Sequence, residues 1–245
     1  MPQNNRIIVT EMSDSDHQQN LFDVHMLNID SPAVAIATRD SSILHGWIAE
    51  FLESDSFTRY NRAGKTAVIG FEMEWCREST VQYGRNRIDI IIFHVYKSCL
   101  IFQLEYNSIP HELFEFMMDR RLVFVGVGLE SKLRVFQNQY QLELPRQLMT
   151  EDGGMKYVDL YEMYPHPYAF SGPDLVELDD SWDAFFSLMA ARYNILDYGK
   201  NLRSVRNSDW QVQSIRVDYQ VAHAFGDSYL CFILGKMFIR HDLDD

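Results

Sequence analysis

Little in this chain of 245 residues supports export, disulfide cross-linking or membrane insertion. Its three cysteines, Cys76, Cys99 and Cys231, lie far apart without paired spacing, which argues against a zinc knuckle or a disulfide framework and fits a reducing compartment. No apolar run approaches the roughly 20 residues needed to cross a bilayer. The opening MPQNNRIIVTEMSDSD lacks the basic start and apolar stretch of a secretory signal. The expectation is an intracellular protein of the cytoplasm, the nucleus or both, with no membrane partner. Internal repeats and low-complexity tracts are absent as well.

Positive charge is also scarce. Twenty-two Lys+Arg against 35 Asp+Glu leave a net charge of −13, which opposes non-specific attraction to a polyanion. An enzyme that holds divalent metals in carboxylates regains local positive charge when they bind, so nucleic acid stays open. Much of the excess sits in two patches: Asp174, Glu177, Asp179, Asp180 and Asp183 with no base among them, and the ending Asp242, Leu243, Asp244, Asp245. Several signatures are missing too. Gly126, Val127 and Gly128 close a strand before a helix-like stretch, but no third glycine follows at the dinucleotide-binding spacing. No Walker pattern, GxSxG elbow or HExxH helix occurs, which removes support for P-loop, serine-hydrolase and zinc-protease chemistry.

What is present is a run of alternating elements with 47% hydrophobic content, enough for a sizeable core. Residues 6–9, 23–27 and 33–37 are short strand-like runs, the first two around the polar turn SDSDHQQN. From Ser41 or Ser42 as cap, Ile43, Leu44, Trp47, Ile48, Phe51 and Leu52 recur at helical spacing. The polar stretch SFTRYNRAGK separates that helix from TAVIGFEMEW, whose β-branched start and later alternation read as a buried strand. Residues 88–95 and 99–104 form a hairpin, Pro110 opens a helix, residues 122–127 are a strand buried on both faces, and SKLRVFQNQY is helix-like. Beyond about residue 156 the chain reads as mainly helical apart from YPHPYAFSGPD, with Asp180 or Ser181 capping WDAFFSLMAARYNIL and a last long helix over 217–238. The alternation implies an α/β sheet.

Two constellations carry possible chemistry. Glu72 and Glu74 are two apart on the presumed buried strand, so their carboxylates share a face. Such a pair invites a divalent metal or one shifted proton; the bland alternative is a solvated strand face. His223 and Asp227 are four apart in QVAHAFGDSYLCFIL and share a helix face, which by itself also describes a hydrogen-bonded boundary pair. Ala222, Phe225, Tyr229, Phe232 and Ile233 suggest that this helix packs on the sheet, bringing Asp227 toward Glu72 and Glu74. Basic residues cluster as Arg77, Arg85 and Arg87 and as Lys200, Arg203 and Arg206, each group a candidate phosphate contact or a solvated loop.

The order of these features resembles the plant branch of the Werner-type 3′–5′ exonucleases, in the DEDD group with an RNase H-like fold. The likeness runs over roughly residues 66–239. VIGFEMEW resembles the first motif, a strand with Asp-x-Glu before Trp, and CLIFQL with the following IP resembles the next hairpin. FVGVGLESKL resembles the Gly-rich strand end of the second motif, and SDW followed by QVAHAFGDSY resembles the last, where a helix carries Tyr and then Asp four residues on. The N-terminal strands and WIAEFLE also look like that branch.

The resemblance implies an RNase H-like mixed sheet flanked by helices, as residues 65–241, with residues 1–64 an N-terminal strand and helix extension packed on it. It implies two divalent ions, Mg²⁺ or Mn²⁺, held by four carboxylates around the scissile phosphate of single-stranded or 3′-overhang DNA or RNA. Carried over by position, Glu72 replaces the first Asp, Glu74 matches the Glu, Asp227 matches the last Asp, and His223 takes the Tyr position that positions water. The Asp after Gly-Val-Gly has no counterpart; Glu130 is the nearest carboxylate. Glu72 is one methylene longer than the expected Asp, a costly change for the short, demanding geometry of magnesium. Three readings therefore stand: a working 3′–5′ exonuclease with an altered site, a degenerate exonuclease fold that binds nucleic acid or protein, and a subunit in a homo- or hetero-oligomer with active relatives.

Overall fold

The computed structural model describes residues 7–12, 19–26, 33–76, 87–105, 108–142, 154–163 and 220–239. In chain order the elements are β1 (Ile7–Met12), β2 (Gln19–Met26), β3 (Ala33–Thr38), α1 (Ser41–Glu53), α2 (Asp55–Arg62), β4 (Ala67–Cys76), β5 (Arg87–Val95) and β6 (Ser98–Gln103). There follow α3 (His111–Met118), β7 (Leu122–Gly126), α4 (Leu129–Tyr140), β8 (Tyr157–Asp159), α5 (Leu160–Met163) and α6 (Ala222–Ile239). The described strands form one mixed sheet of eight in the order β1-β2-β3-β6-β5-β4-β7-β8.

The centre of the sheet is the β-branched and aromatic stretch of β5, paired antiparallel to β4 on one side and to β6 on the other. β4, β7 and β8 run parallel. Parallel strands lie between helical layers and read as continuous apolar runs, which explains LVFVG, buried at every position. At the far side β3 pairs parallel with β6, and the β1–β2 hairpin, with Ile7 opposite Met26, extends the same sheet.

Alternation along β4 divides the core. Ile69, Phe71 and Met73 face a cluster with Leu44, Trp47, Phe51, Phe93, Phe116, Phe124 and Phe136, in which Phe71 stacks on Phe93 at 5.4 Å. Val68 faces the opposite cluster with Val125, Phe225, Leu230, Phe232 and Leu234 of β7 and α6. Gly70 lies on that second face. A Cβ there would collide with the Ser228 carbonyl and stand 2.9 Å from the Phe232 Cβ. Gly235 makes a matching approach, its Cβ position 2.7 Å from Val125 Cγ2. Small residues at both places let the backbone of α6 rest directly on β4 and β7. That approach brings the polar groups of α6 close to β4.

Several local expectations are corrected. The cap of α1 is Asp40, whose carboxylate accepts the Ser42 N–H at 2.7 Å, rather than Ser41 or Ser42. The polar stretch after α1 contains α2, capped by Ser54 and anchored by one buried side chain, Phe57; a single anchor leaves no apolar period to read. In the stretch expected to be helical, β8 adds three residues to the sheet, too few for a period-2 pattern. A wide π-type turn at Gln220 and Val221 leads into α6. Val217, the segment after Asp180 and Ser181, and the acidic patches lie outside the described residues. No helix among the described residues is long and apolar enough to cross a membrane.

Candidate active site

Glu72 and Glu74 lie in the C-terminal half of β4, and in a parallel α/β sheet the strand ends leave room for a ligand. Both carboxylates are buried, at 1% and 3% exposure. Buried carboxylates need polar or charged partners, and the two meet different ones.

Glu74 meets α6. His223 Nε2 lies 3.7 Å from Glu74 Oε1, and His223 Nδ1 lies 3.5 Å from Asp227 Oδ1. The four-residue spacing turns both α6 side chains to one face, as expected, and the close packing at Gly70 presses that face against β4. One ligand atom from each of Glu74, His223 and Asp227 falls within 4.8 Å of the others, and all three residues are buried. The imidazole bridges two carboxylates at distances longer than a good hydrogen bond.

Glu72 is held by a residue that the sequence reading passed over. Lys132 Nζ donates to both carboxylate oxygens, at 2.7 and 3.0 Å. The pair is sealed from solvent, with side-chain exposures of 3% and 1%. Lys132 is on the first turn of α4, which is preceded by Gly128 in a left-handed conformation, φ 64°, that favours glycine. Its buried companions on that helix are Leu129 and Phe136. A lysine on an apolar helical stripe was the available signal. Glu130 is 70% exposed and pairs with Arg134 at 2.7 Å, so α4 turns Lys132 inward and leaves Glu130 in solvent.

Asp159, at the end of β8, is another carboxylate that the sequence reading did not single out. It accepts the Gly128 N–H at 2.9 Å and so pins the turn from which Lys132 departs. The negative field of the region is felt at Cys231, whose thiol is pushed well above its ordinary range by burial first and then by the Glu72 and Asp227 carboxylates. This thiol stays protonated.

A glutamate, an aspartate and an imidazole within reach of one another suit a single divalent cation. The Glu72 position does not fit a second one, because both of its oxygens already bind an ammonium. Of the basic clusters, Arg87 donates to buried Asp89 at 2.5 Å. Arg77, Arg85, Lys200, Arg203 and Arg206 lie outside the described residues.

No family model and no curated relative matches the sequence. Among solved structures the chain is similar to the catalytic core of RRP6 from Trypanosoma brucei, mutant C496S, at 12% identity with a TM-score of 0.53. The match covers 82% of this chain and 45% of that one, so this chain spans less than half of its length. It is also similar to the Aedes aegypti Nibbler EXO domain, at 12% identity and TM-score 0.46 over 77% of this chain and 85% of that one. The likeness to the RRP6 core shows the fold: an RNase H-like mixed sheet flanked by helices.

Proposed function

We propose that this chain is a 3′–5′ exonuclease-like protein, akin to the plant Werner-type branch, with residues 65–241 as the exonuclease-like domain and residues 1–64 as its extension. It receives the 3′ end of single-stranded or 3′-overhang nucleic acid beside Glu74, His223 and Asp227. The observation that supports this is the meeting of those three side chains at the strand ends of an exonuclease-type sheet. A single Mg²⁺ or Mn²⁺ there would supply charge toward a phosphate that a chain with net charge −13 otherwise repels.

The catalytic set is incomplete for two-ion phosphodiester hydrolysis. Losing one ion removes much of the stabilisation of the in-line transition state. Strand binding without efficient cleavage is the expected behaviour. A second reading, a working exonuclease with an altered site, is favoured by the same three groups: His223 would orient water, with Glu72, Glu74 and Asp227 as the acidic set.

One experiment separates the two. Strands labelled at the 3′ or the 5′ end, as RNA and as DNA, are incubated with Mg²⁺ or Mn²⁺ and excess protein, beside Asp227→Asn. Retarded but intact strands are expected. A metal-dependent ladder shortening from the 3′ end and lost in Asp227→Asn would establish the working enzyme instead. Strands neither retarded nor shortened would overturn both readings and leave a protein-assembly role.

A further inference from the structure

Lys132 stands where an external cation would otherwise be required. Three acidic side chains, Glu72, Glu74 and Asp227, are buried in one region, the first two on alternate residues of one strand. Removing such carboxylates from water is costly unless positive charge accompanies them. Elsewhere in biology that charge is commonly a pair of divalent ions roughly 3.5–4 Å apart, clamping the two sides of a phosphodiester. Here an ammonium from the chain itself lies against Glu72, and an imidazole lies between Glu74 and Asp227.

We propose that Lys132 is a tethered replacement for one of the two divalent ions, so that this site takes no more than one ion, at Glu74, His223 and Asp227. The proposal rests on reading this end of the sheet as an exonuclease-type site, and it explains why the site is incomplete. An ammonium and a divalent ion differ in what they do. Lys132 neutralises one charge and donates hydrogen bonds, but it offers no open coordination position and cannot be exchanged or chelated. Three features fit a built arrangement. The ammonium reaches both oxygens of one carboxylate, its stem lies on the buried side of α4, and the turn before it is pinned by Asp159 through Gly128.

Substitution at position 132 is therefore expected to change the number of ions bound. Mn²⁺ is the probe, counted by equilibrium titration with electron paramagnetic resonance of the free ion, on the full chain without nucleic acid. Wild type is expected to bind at most one Mn²⁺. Lys132→Asp supplies a further carboxylate and frees Glu72, and is expected to bind one more ion than wild type. Lys132→Gln frees Glu72 without adding charge and serves as the second variant, with circular dichroism in the presence of Mn²⁺ confirming that each is folded. Two ions bound by wild type would overturn the proposal, and so would folded Lys132→Asp and Lys132→Gln chains that bind no more ions than wild type. Should neither variant fold, the wild-type count decides. Because the count is taken without a strand, its failure is distinct from a failure to bind or cleave nucleic acid.

Discussion

Glu72 and Glu74 are the same residue type, two apart on one strand, on one face and equally buried, yet they are prepared for different things. Glu72 makes two short charge-assisted hydrogen bonds to one ammonium. Glu74 has an imidazole at 3.7 Å, loosely placed and shared with Asp227. The first carboxylate is closed by a partner that reaches both of its oxygens, whereas the second shares its surroundings with an imidazole and a further carboxylate, a donor set that suits a cation. The two histidines at the seam between α6 and the sheet repeat the lesson. His223 lies between carboxylates, while His94 on β5 is packed against Phe225, Tyr229 and Phe232 with ring centroids at 4.7, 5.3 and 5.8 Å. Burial lowers the His94 pKa to about 3, so it is neutral and structural.

The largest effect is expected from breaking the closed pair on one side only. Lys132→Met leaves Glu72 buried without its cation and should cost about 3–5 kcal/mol, whereas Glu72→Leu with Lys132→Met should recover most of that loss. Urea unfolding of both proteins measures it, and equal losses would mean that the pair is not a unit. Acid should expose the burial of His94. The folded pKa of His94 is below its unfolded value, so stability is full above about pH 6.5 and falls as pH drops toward 3, by on the order of 4 kcal/mol in total. In His94→Phe that part of the pH dependence should vanish, as seen by comparing unfolding midpoints from pH 7 to pH 4.

A third contrast concerns Glu74. At 100 times its dissociation constant, Mn²⁺ should stabilise wild type by about 2.7 kcal/mol. Glu74→Gln should abolish this shift while Glu72→Gln retains it, a distinction read by thermal melting with and without the ion. Similar shifts in both variants would erase the contrast between the carboxylates. The smallest effect is expected at the approach that assembles the three-residue cluster. Gly70→Ala pushes α6 off β4 and should cost about 1–3 kcal/mol by overpacking. It should also weaken Mn²⁺ binding, because His223 and Asp227 move with the helix; unchanged affinity in the folded variant would show that they are placed by other contacts.

Much of the architecture was readable because its signals are local. The helical period at Leu44, Trp47, Ile48 and Phe51, the continuous apolar runs of β5 and β7, and the short polar joint between β5 and β6 each express a backbone geometry within one segment. Within the site, the shared faces of Glu72 with Glu74 and of His223 with Asp227 follow from periods of 2.0 and 3.6 in the same way. The elements that escaped, α2 with its single anchor Phe57 and the three-residue β8, are too short or too polar for any period to register.

The amino-acid sequence by itself determined which side chains can stand side by side along a strand or a helix, because backbone geometry alone sets that. Only the tertiary structure decided which of them meet across elements. Lys132 and Glu72 are 60 residues apart, and nothing in either segment names the other. The two glutamates of β4 were indistinguishable as neighbours in sequence. They became a closed ion pair and a three-residue cluster because α4 carries a lysine to one of them, while Gly70 lets α6 bring an imidazole and a carboxylate to the other.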